Sequence, residues 1–467
     1  MTAPFCPTAW MHRTEGSPIT TAILEPDRQR KACLQGTAER LADCHDRHNR
    51  IALAGPADFA NVTAVVTCDT EQHMSTVDTA IIVTTYERPA SLEKVLLSIA
   101  QQRGVRSRFE LVVADDGSRD ETADLVRRFA ADVDFPVRFV THEHQGFHAG
   151  RCRNEGVRAT TASYLLFLDG DCLIPPYHLA EHHSRRRPGV ALASHCCYLS
   201  REASAAVTGH VIRSGGFAAM ASVSELRRLA KMHRRAWYYN LVRHPTKPKM
   251  FSGDMSLWRN DFLRVNGFDE NFRGWGGEDD DFRLRLRQAG VRIQSILRRT
   301  RSYHLWHPPV PSKAPRIRDG PNVPYLLRPG RLTRCVNGLE KRRVDQIQVR
   351  VIGAAARPEV LVDLLPQAWL QPRRADAAAE VEILVHPGKG RFSGQAELNL
   401  LIILDESRIT RKLVRRADVV LRWDAMSAEE PRQQLQELRQ AIVSCVMGRR
   451  IVPAAKTDPA LRRAVGV

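Results

Sequence analysis

The sequence lacks a long hydrophobic segment. No apolar run reaches the roughly 18 residues of a membrane span, and the longest candidate, Leu398–Leu404, has the length of a strand. No apolar stretch follows the first basic residues, as it would in a secretory signal. The ten cysteines form no Cys-x-x-Cys pair, which is typical of reduced thiols in a cytosol. These absences predict a cytoplasmic protein.

Aromatic residues are scarce, at 6% of the chain, and no basic run is interleaved with them. We therefore expect no nucleic-acid partner. The formal net charge is nevertheless +18, which favours anionic partners. Two kinds of partner would explain the positive charge: phosphate-bearing substrates, or the anionic inner face of the cell membrane in peripheral contact with the protein.

The chain also offers neither a Gly-x-Ser-x-Gly motif nor a Cys/His signature for nucleophilic catalysis. It has two acidic motifs instead, Asp169-Gly170-Asp171 and Gly274–Asp281 (GWGGEDDD). Acidic residues favour a helix N-terminus, which is one interpretation of the second motif. The other is a site in which one carboxylate acts as a general base.

Apolar strand-like runs alternate with helical periodicity from Val77 onward. This alternation predicts an α/β fold with a parallel sheet and helices on both faces, binding ligands at the carboxyl ends of its strands. The predicted units are an irregular arm, a first α/β domain, a linker, a smaller α/β domain of unknown role and a tail, at residues 1–76, 77–310, 311–346, 347–450 and 451–467.

Polar residues follow the predicted strands at the expected ligand-binding edge. Thr84 and Tyr86 follow the first strand, Asp116 the second, and Asp169 and Asp171 the fourth. Two carboxylates around one glycine suit a divalent cation with oxygen ligands, and such a cation can bridge a diphosphate.

Nearby cations and histidines complete this hypothesis. Arg88 and Arg153 are candidate phosphate contacts, although a solvated arginine is the ordinary alternative for each. In the segment Tyr303–His307 (YHLWH), we favour His304 over His307 as a further metal ligand, because His304 lies nearer the predicted strand end. Asp279 is the candidate base for an acceptor hydroxyl, which implies a single displacement with inversion.

The segment from about Val77 to His307 resembles family 2 glycosyltransferases of the GT-A fold, a Rossmann-like nucleotide-sugar domain. The resemblance rests on Thr84–Pro89, Val113–Ser118, Gly150–Gly156, Phe167–Asp171 and Asn266–Glu270. The Gly274–Asp281 motif is similar to the acceptor-side motif of β-1,4-galactosyltransferases and chondroitin-synthase-like enzymes.

The resemblance implies a role for each matching residue. Thr84, Tyr86 and Asp116 would contact the nucleoside, and Asp169 and Asp171 would act through Mn²⁺ or Mg²⁺. The acceptor-side motif would supply the base Asp279 and the substrate-binding residues Trp275, Gly277, Glu278 and Asp280, with Glu278 on the donor sugar and Asp280 on the acceptor sugar.

We therefore expect an inverting, metal-dependent transferase. It would move a hexose or N-acetylhexosamine from a UDP-sugar to a glycan or glycolipid, in polysaccharide or cell-surface glycan synthesis. The alternative is a non-catalytic scaffold that binds glycans or nucleotide sugars and recruits partners through its C-terminal domain.

Overall fold

The structure is a computed structural model. It describes residues 64–67, 77–105, 109–309, 313–314, 316, 319–328, 330–353, 358–370, 378–404, 409–422 and 431–448. These residues all belong to one compact unit, residues 53–467.

The strands, numbered in chain order, are β1 Ala64–Thr67, β2 Thr79–Thr85, β3 Phe109–Asp115, β4 Val137–Thr141, β5 Tyr164–Asp169, β6 Cys172–Leu173, β7 Val190–Ala193, β8 Cys196–Tyr198, β9 Asp254–Trp258, β10 Arg292–Ser295, β11 Ser302–His304, β12 Val349–Ile352, β13 Val381–His386, β14 Leu398–Ile403 and β15 Val419–Arg422.

The α-helices are α1 Pro89–Ala100, α2 Thr122–Ala131, α3 Ala149–Arg158, α4 His178–His183, α5 Arg201–Ala206, α6 Gly209–Ser214, α7 Val223–Leu241, α8 Arg259–Arg264, α9 Glu278–Gln288, α10 Val323–Leu326, α11 Pro358–Leu364, α12 Gln367–Leu370, α13 Arg411–Arg416 and α14 Pro431–Val446.

The main sheet has eight strands in the order β1-β4-β3-β2-β5-β9-β7-β10. Its central strand β2 is apolar on both sides because both sides are covered. Ile81 and Val83 pack into the core that includes α1, whereas Ala80 and Ile82 pack into the core that includes α3 and α9. Chain order reverses between β2 and β5, and the crevice at such a point is where open α/β sheets bind ligands.

The four strands from which a parallel sheet was predicted, β2 to β5, pair parallel as expected. The complete sheet is mixed because two further strands run antiparallel to their neighbours. β9 runs antiparallel to both β5 and β7, and β1 runs antiparallel to β4. β1 also lies within the arm that we predicted to be irregular. At four residues it is too short to show the alternation by which a strand is recognised in sequence.

A small three-stranded sheet, in the order β6-β11-β8, lies at the carboxyl end of β5. β11 pairs antiparallel with β6, so that His304 is opposite Cys172. This register brings the predicted histidine next to Asp171, which immediately precedes β6.

The C-terminal part forms a second α/β unit around a four-stranded parallel sheet, in the order β12-β13-β14-β15. Its core contains residues of all four strands together with residues of α11, α12 and α14. The predicted fold class, an α/β chain with a second, smaller α/β unit, is confirmed.

The described part of the predicted linker is not a spacer, because it packs against the first α/β unit. Tyr325 is buried and its hydroxyl donates to an oxygen of Asp269, 2.7 Å away. Arg328 lies 3.3 Å from a carboxylate oxygen of Asp281. The Pro-, Arg- and Gly-rich sequence of this segment has no periodic pattern from which its packing could be predicted. The packing depends instead on Arg328, which neutralises the buried carboxylates of Asp269 and Asp281.

Asp281, the last residue of the acidic motif, has a structural role. It is fully buried, and one of its oxygens accepts from Nε of the buried Arg285 at 2.7 Å. Arg285 also donates to the backbone carbonyls of Val265 and Gly267. Burial alone would raise the pKa of Asp281, but Arg285, Arg328 and Arg331 hold it below its ordinary value. This network fixes α9 in the fold.

Replacing Arg285→Met should therefore leave a buried carboxylate without its closest cation. We expect the free energy of unfolding to fall by about 3–5 kcal/mol. Arg287→Met, on the same helix but partly exposed, should cost about 1 kcal/mol or less. Urea unfolding of the two variants and the parent checks this, and equal losses would contradict it.

Candidate active site

The first acidic pair stands at the carboxyl end of β5. Oδ1 of Asp169 accepts from Nη2 of Arg153 at 2.8 Å and from the hydroxyl of Thr84 at 3.2 Å. Asp171 is almost buried, and Nη1 of Arg88 lies 3.3 Å from its Oδ2. Both arginines that the sequence singled out thus reach the Asp-Gly-Asp motif.

Two histidines converge on Asp171. Nε2 of His304 lies 3.4 Å from one of its oxygens and Nε2 of His307 lies 3.2 Å from the other. The ligand atoms of these three residues are all within 4.8 Å of one another, as are those of Asp169, Asp171 and Cys172. The described residues therefore offer a carboxylate and imidazole donor set that suits a divalent metal.

His307 is oriented for this role by the backbone. Its Nδ1 lies 2.6 Å from the carbonyl oxygen of Pro308 and donates to it, so that Nε2 is directed towards Asp171. The hydrogen bond to Asp171 raises the pKa of His307. The sequence favoured His304 over His307, but the structure brings both imidazoles to the same carboxylate.

The second acidic group starts α9. Oδ1 of Asp279 accepts from the backbone N–H of Ser252 at 3.2 Å and from the Ser252 hydroxyl. Asp280 lies apart from this contact, because its oxygens pair with Arg283 at 2.8 Å and with Lys249 at 3.2 Å. The four consecutive carboxylates therefore occupy different environments, and Asp279 is held against the loop before β9.

Ser252 and Gly253 bring the two acidic groups together. While Ser252 contacts Asp279, Gly253 lies against Asp169, and a Cβ at position 253 would be 2.5 Å from Oδ2 of Asp169. Only glycine allows this close approach. Carboxylates about 110 positions apart in sequence therefore flank two adjacent residues of the chain.

Arg153 is the cation between these groups. It is buried, and burial opposes its charge, but Asp169, Asp279 and Glu278 together raise its pKa above the ordinary value. Its Nε and Nη1 have no hydrogen-bond partner within the described ranges. Arg153 thus neutralises the acidic cluster and keeps donors available in the pocket.

The carboxyl groups of Glu278 and Asp279 both have a pKa above that of an ordinary carboxylic acid. Burial and the neighbouring Asp279 raise the pKa of Glu278 to about 7, against the opposing effect of Arg153. Burial also raises the pKa of Asp279, and Asp169 adds to this effect. Shifted carboxylates in a cleft are typical of acid–base sites.

The residues predicted to bind a nucleoside are also at this edge. Asp116 is buried, with Oδ1 2.9 Å from Nε2 of His142 and Oδ2 accepting from the backbone N–H of His148 at 3.2 Å. Tyr86 stacks on His144, with ring centroids 4.1 Å apart and planes 12° from parallel. The histidines around Asp116 were not singled out in the sequence.

The glycines before α9 allow a tight loop. Gly277 has φ +99°, and a Cβ there would lie 2.9 Å from the Phe272 ring. Asn322 donates to the carbonyl of Gly276 at 2.8 Å and so fixes the loop from the C-terminal side. Trp275 is partly exposed, and the Lys313 ammonium lies 5.0 Å from its ring centroid.

Several buried polar atoms at this edge have no partner among the described residues. They are Oγ1 of Thr85, both ring nitrogens of His148, Nε and Nη1 of Arg153, and Oε2 of Glu278. Buried polar groups are normally hydrogen-bonded, so a concentration of unsatisfied ones indicates a binding site for a polar ligand.

Sequence reasoning missed Ser252, Gly253 and Asn322. The stretch Phe251–Ser256 was recognisable as unusual, but nothing in it indicated that it faces two acidic motifs at once. Such a role depends on β9 being inserted antiparallel between β5 and β7.

The raised pKa of Glu278 has a consequence for stability. A carboxyl group whose pKa is higher in the folded state stabilises the fold below its unfolded pKa, near 4.5, and this contribution is lost as pH rises through 7. Glu278→Gln mimics the protonated form. It should raise the free energy of unfolding at pH 8 by about 2 kcal/mol, because the residue is only partly exposed, and change little at pH 5.

Thermal unfolding at both pH values, without metal or nucleotide, measures this difference. Glu93→Gln, at an exposed position of α1, is the control and should be neutral at both. An equal effect of Glu278→Gln at pH 5 and pH 8 would contradict the assignment.

The chain resembles known proteins in this region. Residues 80–204 match the model of glycosyl transferase family 2, and residues 233–308 match the N-terminal domain of galactosyltransferase. The two matches together contain the strand-end residues, the acidic motifs and both histidines near Asp171.

Individual relatives agree with these matches. The validoxylamine A glucosyltransferase of Streptomyces hygroscopicus subsp. jinggangensis is 31% identical over 234 residues, which cover 45% of this chain and 52% of that protein. The chondroitin synthase of Escherichia coli is 24% identical over 235 residues, 46% of this chain and 33% of that one. The chain thus spans about half, or less, of the length of these curated relatives.

Among solved structures, a mannosyltransferase from Pyrobaculum calidifontis, in complex with GDP-Man and Mn²⁺, is 21% identical with a TM-score of 0.35. That likeness covers 49% of this chain and 56% of the other. The predicted resemblance is confirmed by the two family models, since glycosyl transferase family 2 matches residues 80–204 and the N-terminal domain of galactosyltransferase matches residues 233–308.

Proposed function

We propose that this protein is an inverting, metal-dependent glycosyltransferase that moves a hexose or N-acetylhexosamine from a UDP-sugar to a hydroxyl group of a glycan or glycolipid. One observation carries the proposal. Asp169 and Asp279 flank the adjacent residues Gly253 and Ser252, which supports a single site with a metal-side carboxylate and a candidate base. We propose residues 77–310 as the catalytic domain. We also propose that the protein is cytoplasmic.

The residues around Asp171 fit the metal that the family implies. Asp169, Asp171, His304 and His307 would hold Mn²⁺ or Mg²⁺, and the imidazoles favour Mn²⁺. A divalent ion in this position supplies charge neutralisation for a leaving diphosphate. Arg88 and Arg153 would add charge-assisted hydrogen bonds to phosphate oxygens.

The donor would lie along the edge from β2 to α9. The nucleoside would meet Thr84, Tyr86 and Asp116, where His142 and the His148 N–H fix the orientation of the Asp116 carboxylate. Glu278, with one oxygen free of hydrogen bonds, would accept from a hydroxyl of the donor sugar.

Asp279 would act as the base. Its carboxylate removes the proton of the acceptor hydroxyl while the acceptor oxygen forms a bond to the anomeric carbon. The bond from that carbon to the diphosphate oxygen breaks, and the electron pair leaves with UDP. Attack opposite the leaving group inverts the anomeric centre. Ser252 orients Asp279, and Asp280 and Trp275 would contact the acceptor.

The two acidic groups should respond differently to substitution. Asp279→Asn should lower turnover about 10³-fold and leave the affinity for UDP within about threefold, because the base acts on the acceptor. Asp171→Ala should instead weaken Mn²⁺-dependent binding of UDP about tenfold or more.

Calorimetry with UDP and Mn²⁺ measures binding, and UDP release from a panel of UDP-sugars with glycan acceptors measures turnover. Asp132→Asn, at an exposed position, should match the parent in both. Undiminished turnover of Asp279→Asn would refute its role, and Mn²⁺-dependent UDP binding without UDP release from any donor would favour the scaffold alternative.

We also propose that α7 docks on an anionic membrane. Trp237, Tyr238 and Leu241 are 66%, 54% and 64% exposed near its C-terminal end. Three exposed cations share their helix face at helical spacing, namely Arg227, Lys231 and Arg234. Exposed aromatic rings that follow a row of cations along one helix suit the interface of a bilayer with acidic headgroups.

The helix also lies next to the catalytic edge. The Arg228 guanidinium is 5.3 Å from the centroid of the Tyr198 ring, which lies 5.0 Å from that of His304. No helix among the described residues is both long and apolar enough to cross a bilayer. Attachment through α7 would thus be peripheral and would bring the pocket close to lipid-linked acceptors.

Vesicle sedimentation tests this docking. The protein should bind vesicles containing phosphatidylglycerol but not vesicles of phosphatidylcholine alone, and salt should weaken the binding. The double substitution Trp237→Ser with Leu241→Ser should lower the partition coefficient about tenfold. Leu327→Ser, where the leucine is 73% exposed outside α7, is the control. Equal binding by both variants would contradict the proposal.

A further inference from the structure

Three further metal-binding side chains meet in the interior, away from Asp171. His178 and His182 are one helical turn apart on α4, and Asp254 is the first residue of β9. All three are fully buried, and their ligand atoms lie within 4.8 Å of one another. Two imidazoles and one carboxylate in an enclosed site are ligands typical of zinc.

The distances between these atoms fit a common ion. Oδ1 of Asp254 lies 3.1 Å from Nε2 of His178 and 3.7 Å from Nε2 of His182. Tetrahedral ligands about 2.0–2.1 Å from zinc lie about 3.4 Å from one another. The observed separations are on either side of this value.

The outer atoms of all three residues are held by other polar groups. Nδ1 of His178 lies 2.7 Å from the Thr300 hydroxyl, and Nδ1 of His182 lies 2.6 Å from that of Ser256. Oδ2 of Asp254 accepts from the backbone N–H of Ser302 at 2.8 Å. Each residue thus directs its other ligand atom inward, as in the outer shell of protein metal sites.

One of the inward atoms is unsatisfied. Nε2 of His182 is buried and has no hydrogen-bond partner in the part of the chain that the structure describes, since Oδ1 of Asp254 at 3.7 Å is too distant. A cluster built only for hydrogen bonding would leave this nitrogen unsatisfied in the core, which is costly. A cation between the three ligand atoms would satisfy it.

We propose that His178, His182 and Asp254 bind a structural zinc ion. Asp254 directly follows Ser252 and Gly253, which contact the two acidic groups, and Ser302 begins the strand that ends at His304. The ion would therefore link α4 to β9. β11 is connected to it through the hydrogen bond from the Ser302 N–H to Asp254. Among the described residues, the three ligands make no hydrogen bond or ion pair with either acidic motif, so zinc binding can be tested separately from the proposed glycosyl transfer.

Zinc content of the full-length chain tests this, with Asp171→Ala as the background so that the proposed catalytic ion does not contribute. Protein from zinc-supplemented cells, passed through metal-free buffer, should hold about one zinc per chain by mass spectrometry. Adding His182→Gln should lower this at least tenfold. Adding His183→Gln, whose imidazole contacts Thr79 instead, should not.

A second measurement covers a variant that fails to fold. Asp171→Ala protein produced with cobalt in place of zinc should show the visible absorption bands of a Co²⁺ site with nitrogen and oxygen ligands. Folded Asp171→Ala protein without zinc or cobalt, or full retention of zinc after His182→Gln, would overturn the proposal. Either result leaves the test of Asp279 in glycosyl transfer unaffected.

Discussion

The structure of the pocket depends on the charge of Arg153. Three carboxylates, those of Asp169, Glu278 and Asp279, act on its buried guanidinium group, and their mutual repulsion would otherwise oppose bringing β5 and α9 together. Arg153 is one of the buried residues of α3, so this helix carries the cation. Its Nε and Nη1 have no partner among the residues that the structure describes, and this supports the proposal that the same group also binds an anionic ligand.

The consecutive carboxylates of the GWGGEDDD motif show how one short sequence serves stability and chemistry. Asp281 points into the core and binds Arg285, which fixes the helix. Asp280 pairs with Arg283 and Lys249 at the periphery. Glu278 and Asp279 face the pocket, where burial raises the pKa of both. Helical geometry therefore separates residues that look equivalent in sequence.

Much of this arrangement was predictable from sequence because strand ends in an α/β sheet converge at one edge. Thr84, Asp116 and Asp169 follow apolar runs, so alternation alone placed them together. The antiparallel insertion of β9 was not predictable, since five residues carry no sign of direction. Consequently Ser252 and Gly253 had no assigned role. His307 was ranked below His304 because distance from a strand end says nothing about how the following turn folds back.

The buried His178, His182 and Asp254 cluster and the packing of the linker also depend on contacts between residues far apart in sequence. His178 and His182 show helical spacing, but their partner Asp254 is about 70 positions away. The predicted linker has no periodic pattern that would indicate its packing against Asp269 and Asp281. Local pattern identified the elements and the acidic motifs, whereas long-range ion pairs decided which carboxylates are structural.

The most direct test of the shared pocket is a crystal structure with UDP and Mn²⁺. We expect the ion to be bound by Asp171 and the diphosphate, with Arg153 at the phosphates. The Asp279 carboxylate should face the open end of the diphosphate across the same cleft. An ion and nucleotide bound at a surface that Asp279 does not face would contradict it.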